Sequence, residues 1–93
     1  MFRGVYMKII SFKKIREEHP DKFLVLVDYE EKELSLGEVE ILGAEYYHVY
    51  DDGMDMFNAY RDLKKKGQKV VFCTPDYVDR FVMERRPSMR VLG

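Results

Sequence analysis

The chain has 93 residues, of which 46% are hydrophobic, 14% aromatic and 35% charged, a composition that excludes disordered and low-complexity proteins. The 16 Lys and Arg side chains against 17 Asp and Glu give a net charge of -1, so no overall field attracts nucleic acid or an anionic membrane. We expect residues 1–93 to form a single small α/β domain with few residues to spare for an active-site cleft.

The cysteine and hydropathy patterns bear on the cellular compartment. Cys73 is the single cysteine, so it can form neither an intramolecular disulfide nor a CxxC site. No stretch approaches the ~20 apolar residues that cross a bilayer, and residues 2–12 are too short and too charged for a signal peptide. We therefore expect a cytoplasmic protein without a membrane partner.

The N-terminal segment predicts a strand and a helix, both short. Residues 4–10 have β character and form either an extra first strand or a loose N-terminus, and Met7 is an alternative start. Ser11 can cap a helix of about two turns that ends at residues 19–21. Phe12, Ile15 and Arg16 share one face of this helix, which is expected to pack on the sheet through Phe12 and Ile15.

The next segment predicts strands. Residues 23–27 (FLVLV) form an unbroken apolar run, which is typical of a central strand buried on both faces. Residues 28–33 (DYEEKE) are predicted to be a polar turn. Residues 34–50 have an alternation that slips near Gly43, which indicates either one bulged strand or two strands in a hairpin.

The clearest helix of the sequence follows. Asp51 or Asp52 caps it, Asp55 lies in its first turn, and Gly67 ends it. Its apolar stripe consists of Met56, Phe57, Tyr60 and Leu63. A strand over residues 69–73 comes directly afterwards, so strand, helix and strand are expected to form a crossover with parallel ends.

The end of the chain predicts a last helix. Thr74-Pro75-Asp76 resembles a helix start, an apolar face follows at Val78, Phe81 and Val82, and Pro87 ends it before a loose tail over 88–93. The predicted order is (β)αββ(β)αβα, an α+β two-layer plan with a mixed sheet of three to five strands. A ferredoxin-like βαββαβ plan is the alternative.

Aspartates are the strongest candidates for chemistry. Asp51, Asp52 and Asp55 place three carboxylates within one turn, where they could bind Mg²⁺ or Ca²⁺. Asp28 follows the apolar strand and could join them in a metal-dependent, phosphate-handling enzyme. Helix capping explains the cluster better, and no glycine-rich phosphate loop is present, so we predict no metal, no cofactor and no catalytic residue.

The remaining reactive side chains fit structural roles. His19 lies at a helix end and His48 in an aromatic β segment, and neither has the spacing of a zinc site. Cys73 closes a buried strand, so we interpret it as a small core residue rather than a nucleophile, although a helix N-terminus is expected beside it.

Three basic groups could contact phosphates if the fold brought them to one face. They are Lys13-Lys14-Arg16, Lys64-Lys65-Lys66 and Arg85-Arg86. Solvated helix ends explain each group separately, and the many nearby glutamates would repel nucleic acid. A nucleic-acid-binding accessory protein is therefore an unfavoured alternative.

Aromatic residues are denser than a small core needs. Tyr46, Tyr47, Tyr50 and His48 lie together in one β segment, and tyrosine is enriched at protein interfaces. The sequence therefore favours a non-enzymatic module that binds another protein or a second copy of itself through this segment.

Several short stretches of the sequence are typical of the starts and ends of helices and strands. They are PDKFLVLV (20–27), GEV (37–39), the acidic helix start at 51–52 with Ala59 and Tyr60, and LKKKG (63–67) before a strand. Over about residues 11–74 the chain resembles small prokaryotic α/β domains of unknown function. The resemblance implies the same run of short helix, two strands, helix and strand, and it brings no catalytic residues. The chain differs from them at residues 44–50 and after Thr74.

Overall fold

The structure, a computed structural model, describes residues 9–84. Its elements are β1 (Ile10–Ser11), α1 (Phe12–Glu18), β2 (Phe23–Ser35), β3 (Glu38–Tyr50), α2 (Gly53–Lys65), β4 (Val70–Cys73) and β5 (Val82–Glu84). The strands form one five-stranded sheet in the order β1-β3-β2-β4, and β5 also pairs with β3. The predicted α/β class is confirmed.

Each strand pair within the described range is antiparallel, so the sheet is not mixed. β3 and β4 both run antiparallel to β2, and they therefore run in the same direction with β2 between them. The predicted strand-helix-strand crossover with parallel ends is correct, except that its two strands are not direct neighbours. Of the predicted strand over 4–10, only Ile9 and Ile10 belong to the described residues. The predicted tail over 88–93 lies outside them.

β2 is buried on both faces, as its apolar run predicts. Leu24 and Leu26 belong to one core cluster, whereas Val25 and Val27 belong to a second. The first cluster contains Phe12 and Ile15 of α1, and the second contains Met56 of α2. Because successive side chains of a strand point to opposite faces, the two helices cover opposite sides of the sheet. The layers are therefore helix, sheet and helix, and not the two layers of the expected plan.

The predicted turn at residues 28–33 is wrong, because β2 continues through it to Ser35 and pairs with β3. Asp28 adopts a φ of 53°, which aspartate tolerates better than most residues, and its N–H donates to the carbonyl of Lys69 over 2.8 Å. The charged residues after Asp28 are accommodated because this part of the hairpin is largely exposed. The turn itself lies at residues 36–37, where Gly37 has a φ of 85°.

The slip near Gly43 is a bulge in a single strand. Glu30 pairs with Gly43 and Glu31 pairs with Ile41, so Leu42 is the extra residue of β3. The sequence did not decide between one bulged strand and two strands over residues 34–50. In the structure this stretch contains the end of β2, a turn and one bulged strand. At position 43 a Cβ would lie 2.2 Å from the carbonyl oxygen of Ile10, so the close approach of β1 requires glycine.

The predicted last helix is wrong. Residues 74–81 are turns and irregular backbone, and residues 82–84 form β5 against β3. The N–H of Tyr77 donates to the carbonyl of Thr74 over 3.3 Å, which closes one turn that does not propagate. Phe81 is buried against Phe12 with ring centroids 5.6 Å apart, and its carbonyl accepts from Ile41 over 2.8 Å. These tertiary contacts outweigh the helical spacing of the apolar residues.

α2 begins and ends where the sequence predicts. The side chain of Asp52 accepts from the N–H of Asp55 as the N-cap, and Gly67 has a φ of 84° after the last turn. Through β4 the element order is the βαββαβ of the ferredoxin-like alternative, but the helices lie on opposite faces. No helix among residues 9–84 is long and apolar enough to cross a membrane.

Candidate functional site

Arg16 is the most unusual side chain of the fold, because it is a cation with only 3% of its surface exposed. Nε donates to the carbonyl of Tyr77 over 2.8 Å, and Nη1 donates to the carbonyls of His19 and Lys22 over 3.1 and 2.8 Å. Nη2 donates to the carbonyl of Thr74 over 2.8 Å and to Sγ of Cys73 over 3.4 Å. A guanidinium has five N–H groups, and all of them are therefore used.

These hydrogen bonds join α1 and the turn that follows it to the segment after β4, which lies 58 to 61 residues further along the chain. Arg16 projects from α1 and holds the turn before β2 on one side and the segment after β4 on the other. The acceptors are four neutral carbonyl groups and a thiol, and none is a carboxylate. The sequence grouped Arg16 with Phe12 and Ile15 on one face of α1, but it could not identify the acceptors, because every residue type carries a backbone carbonyl.

A groove of about 280 Å³ lies beside Arg16, between α1 and the segment that follows β4. Its apolar lining consists of Pro20, Pro75 and Val78. Its charged lining consists of Lys13, Arg16, Glu17, Asp21 and Asp79. Asp21 has a φ of 66° in the turn between α1 and β2. This groove was not predicted, since its two walls come from opposite ends of the chain.

Cys73 is buried beside the same groove. Burial raises the pKa of the Cys73 thiol to about 11, and the Arg16 guanidinium opposes this rise only in part. The helix N-terminus that could have activated it does not exist, because residues 74–76 form a turn. The thiol is therefore protonated at neutral pH and inaccessible, as expected for a core residue.

The four aspartates proposed as weak metal candidates do not converge. Asp52 caps α2, Asp55 lies in the first turn, and Asp51 forms an ion pair with Lys22. Asp28 lies five residues along β2 from Phe23, which is the strand partner of Tyr50, so about 17 Å of strand separates it from Asp51. Throughout residues 9–84, no group of three or more His, Cys, Asp or Glu side chains could hold a metal ion.

A second cavity lies around Asp28 and is shallow and wide open. Its lining consists of Ile9, Asp28, Tyr29, Glu30, Glu31, Glu45 and Lys69. Lys69 places Nζ 4.6 Å from the centre of the Tyr29 ring, a cation–π contact between an exposed cation and a half-buried ring that packs against the first core cluster. The cavity brings four acidic side chains together, and none of these four is buried.

The four predicted interface residues divide into two pairs. Tyr46 and His48 are exposed, opposite Val27 and Val25 on the side of the sheet that α2 covers, with ring centroids 6.4 Å apart in an edge-to-face arrangement. Tyr50 is half-buried in the cluster under α2. Tyr47 is half-buried on the other face, where its hydroxyl shares a hydrogen bond of 3.3 Å with Nε2 of His19.

The basic groups do not form one surface. Lys13, Lys14 and Arg16 belong to α1 and Lys64 to α2, so the sheet separates the two groups, and Arg16 is buried. Lys14 forms an ion pair with Glu18 at 3.6 Å. Arg85-Arg86 lies outside the described residues.

Comparison with known proteins gives no relative: no family model, no curated protein and no solved structure matches this chain.

Proposed function

We propose that this chain is a non-enzymatic module that associates with a second copy of itself by adding a strand along the outer edge of β3. One observation carries the proposal. Within residues 9–84, the outer edge of β3 is covered by β5 and β1 up to Ala44, and residues 45–50 have a strand neighbour only on the β2 side. The backbone groups that point outward there are able to pair with another strand.

The sequence of this edge lacks the features that normally prevent pairing. Protein edges are protected by lysine, proline, bulges or very short strands. Residues 46–50 (YYHVY) contain no charge, no proline and no glycine, and the bulge of β3 lies earlier, at Leu42. Addition of an extended segment at such an edge is a common mode of protein recognition.

A second copy is a suitable occupant because an antiparallel arrangement about a two-fold axis would place this uncharged stretch against itself. No like charges would oppose one another within residues 46–50. Tyr46 is 47% exposed beside His48, so both rings are available to cross-strand neighbours on the partner. Aromatic pairs across strands contribute roughly 0.2–1 kcal/mol each.

The test measures the oligomeric state of the full chain by light scattering over a wide range of protein concentration. We expect a shift from monomer to dimer that His48→Lys abolishes, because a lysine on the edge strand would face a lysine on its partner. Leu36→Lys is the matched control, since Leu36 is an exposed apolar residue of the turn between β2 and β3, at the opposite end of β3 from this edge. It should dimerise like the parent chain.

Hydrogen exchange at residues 45–50 supplies a second readout. We expect the outward amides of this stretch to exchange rapidly in dilute solution and slowly at concentrations where the dimer forms. A strict monomer at the highest concentration contradicts the proposal. Protection that is the same at all concentrations also contradicts it, because the strand that the sequence predicts over residues 4–10 would, in the register of β1, then occupy this edge within a single chain.

A further inference from the structure

The groove beside Arg16 has an apolar floor that no other side chain of the described range covers. Val78 is 58% exposed, although it lines the groove together with Pro20 and Pro75. Its volume of about 280 Å³ is at the lower limit of small-ligand sites and is sufficient for one long side chain.

The charged groups around this floor favour a cation over an anion. Glu17, Asp21 and Asp79 are exposed carboxylates, and none has an ion pair within the part of the chain that the structure describes. Arg16 contributes positive charge but no free hydrogen-bond donor, because its five N–H groups are engaged with the protein. An anion would thus meet carboxylates, with only Lys13 to bind it.

The groove is also held in shape before any ligand arrives. Arg16 bonds to Lys22 and His19 on one wall and to Thr74 and Tyr77 on the other, so the two walls cannot separate without breaking buried hydrogen bonds. A site that is already ordered loses less entropy on binding.

We infer that this groove receives a lysine or arginine side chain of another protein. The aliphatic stem of that side chain would pack on Pro20, Pro75 and Val78, and its charged end would reach the three carboxylates. This inference is independent of the proposed dimer, because the groove lies between α1 and the segment after β4 and does not include the outer edge of β3.

The experiment titrates the isotope-labelled full chain with N-acetyl-arginine amide and N-acetyl-lysine amide and follows backbone amide shifts by NMR. We expect saturable shifts confined to the groove, at Glu17, Asp21, Val78 and Asp79, and a loss of binding as salt is added. N-acetyl-glutamine amide is the neutral probe and should leave these amides unmoved at the same concentration.

A variant pair tests the role of the carboxylates. Glu17→Gln combined with Asp79→Asn should weaken binding by about fivefold or more, because exposed charge pairs contribute up to about 1 kcal/mol each. Glu33→Gln, an exposed carboxylate of the hairpin, is the matched control and should bind like the parent chain. Equal binding of the neutral probe, equal binding by the double variant, or the absence of shifts at tens of millimolar of either cationic probe would each overturn the inference.

The monomeric His48→Lys chain serves as a background for the same titration. Because the groove does not depend on β3 pairing, we expect the same affinity in this variant. If the groove binds neither cationic probe, the dimer proposal is thus unaffected. If the chain does not dimerise, the inference about the groove is unaffected.

Discussion

Arg16 shows how a single side chain can replace a stretch of regular structure. The segments before β2 and after β4 are irregular, and their carbonyl groups find donors in one guanidinium rather than in a strand or helix. Buried carbonyl groups without donors are costly, so the arginine satisfies several backbone groups at once.

We expect Arg16→Lys to destabilise the fold by roughly 3 kcal/mol, because an ammonium has three donors and cannot reach both walls. Arg16→Met should cost at least as much, since it removes all the donors. Urea unfolding of the full chain measures both changes. Arg61→Lys is the control, since Arg61 contacts only the Phe57 ring at 5.8 Å among the interactions described, and it should stay within about 0.5 kcal/mol of the parent. An Arg16→Lys chain as stable as the parent would refute the role assigned to Arg16.

Cys73 makes stability depend on pH in the alkaline range. Its pKa is about 11 in the folded protein and near 9.0 in an exposed thiol, so the folded state keeps its proton where the unfolded state loses it. The stabilisation is complete below pH 9 and is lost as pH rises through 11. We expect the unfolding free energy to fall less steeply between pH 8.5 and 10.5 in Cys73→Ala than in the parent, as measured by urea titration at each pH. Parallel curves for the two chains would contradict this.

For individual residues, the sequence predicted which side chains are buried but not which backbone groups they bind. Apolar spacing identified Phe12 and Ile15 as the inner face of α1 and placed Cys73 in the core. It could not identify the groove beside Arg16, because Pro20 and Pro75 come together only after β4 has paired with β2.

Among the elements, β3 contains the position with the strictest requirement for glycine. Gly43 permits β1 to approach so closely that a Cβ would lie 2.2 Å from a backbone oxygen. Gly67 is different: it needs its φ of 84° after α2, but a Cβ there would meet nothing within 4 Å.

We therefore expect Gly43→Ala to be much more destabilising than Gly67→Ala. The first must displace β1, at a cost of several kcal/mol or loss of folding, whereas the second adds only backbone strain of about 1 kcal/mol. Thermal unfolding followed by circular dichroism compares the two variants. Equal losses would show that β1 moves without cost.

Two elements were mispredicted, and both errors have the same physical cause. Residues 28–33 are polar and residues 78–82 have helical spacing, but each segment lies against β3 and pairs with it or bonds to it. Arg80 donates to Glu40 of β3 at 2.9 and 3.2 Å, which lowers the pKa of Glu40 and fixes the second segment in place. Contacts between segments far apart in sequence decide such cases, and local patterns do not contain them.

The whole molecule has two cores that share one strand. Because β2 contributes Leu24 and Leu26 to one core and Val25 and Val27 to the other, neither core can form alone. The domain should therefore unfold in one cooperative step.

We expect Ile15→Ala, in the core under α1, and Met56→Ala, under α2, each to destabilise the domain by roughly 2–5 kcal/mol. Tyrosine fluorescence and far-UV circular dichroism should report the same midpoint in urea for each variant. Separate transitions for the two probes would show that the cores are independent.

The central position of β2 also has a consequence during protein synthesis. A turn of two residues joins β2 to β3, so that hairpin can close within microseconds of leaving the ribosome. The opposite edge of β2 has no strand partner until α2 and β4 have been synthesised. In that interval the apolar residues 23–27 of β2 are unprotected on one side, and a nascent chain stalled there would be the form most exposed to aggregation.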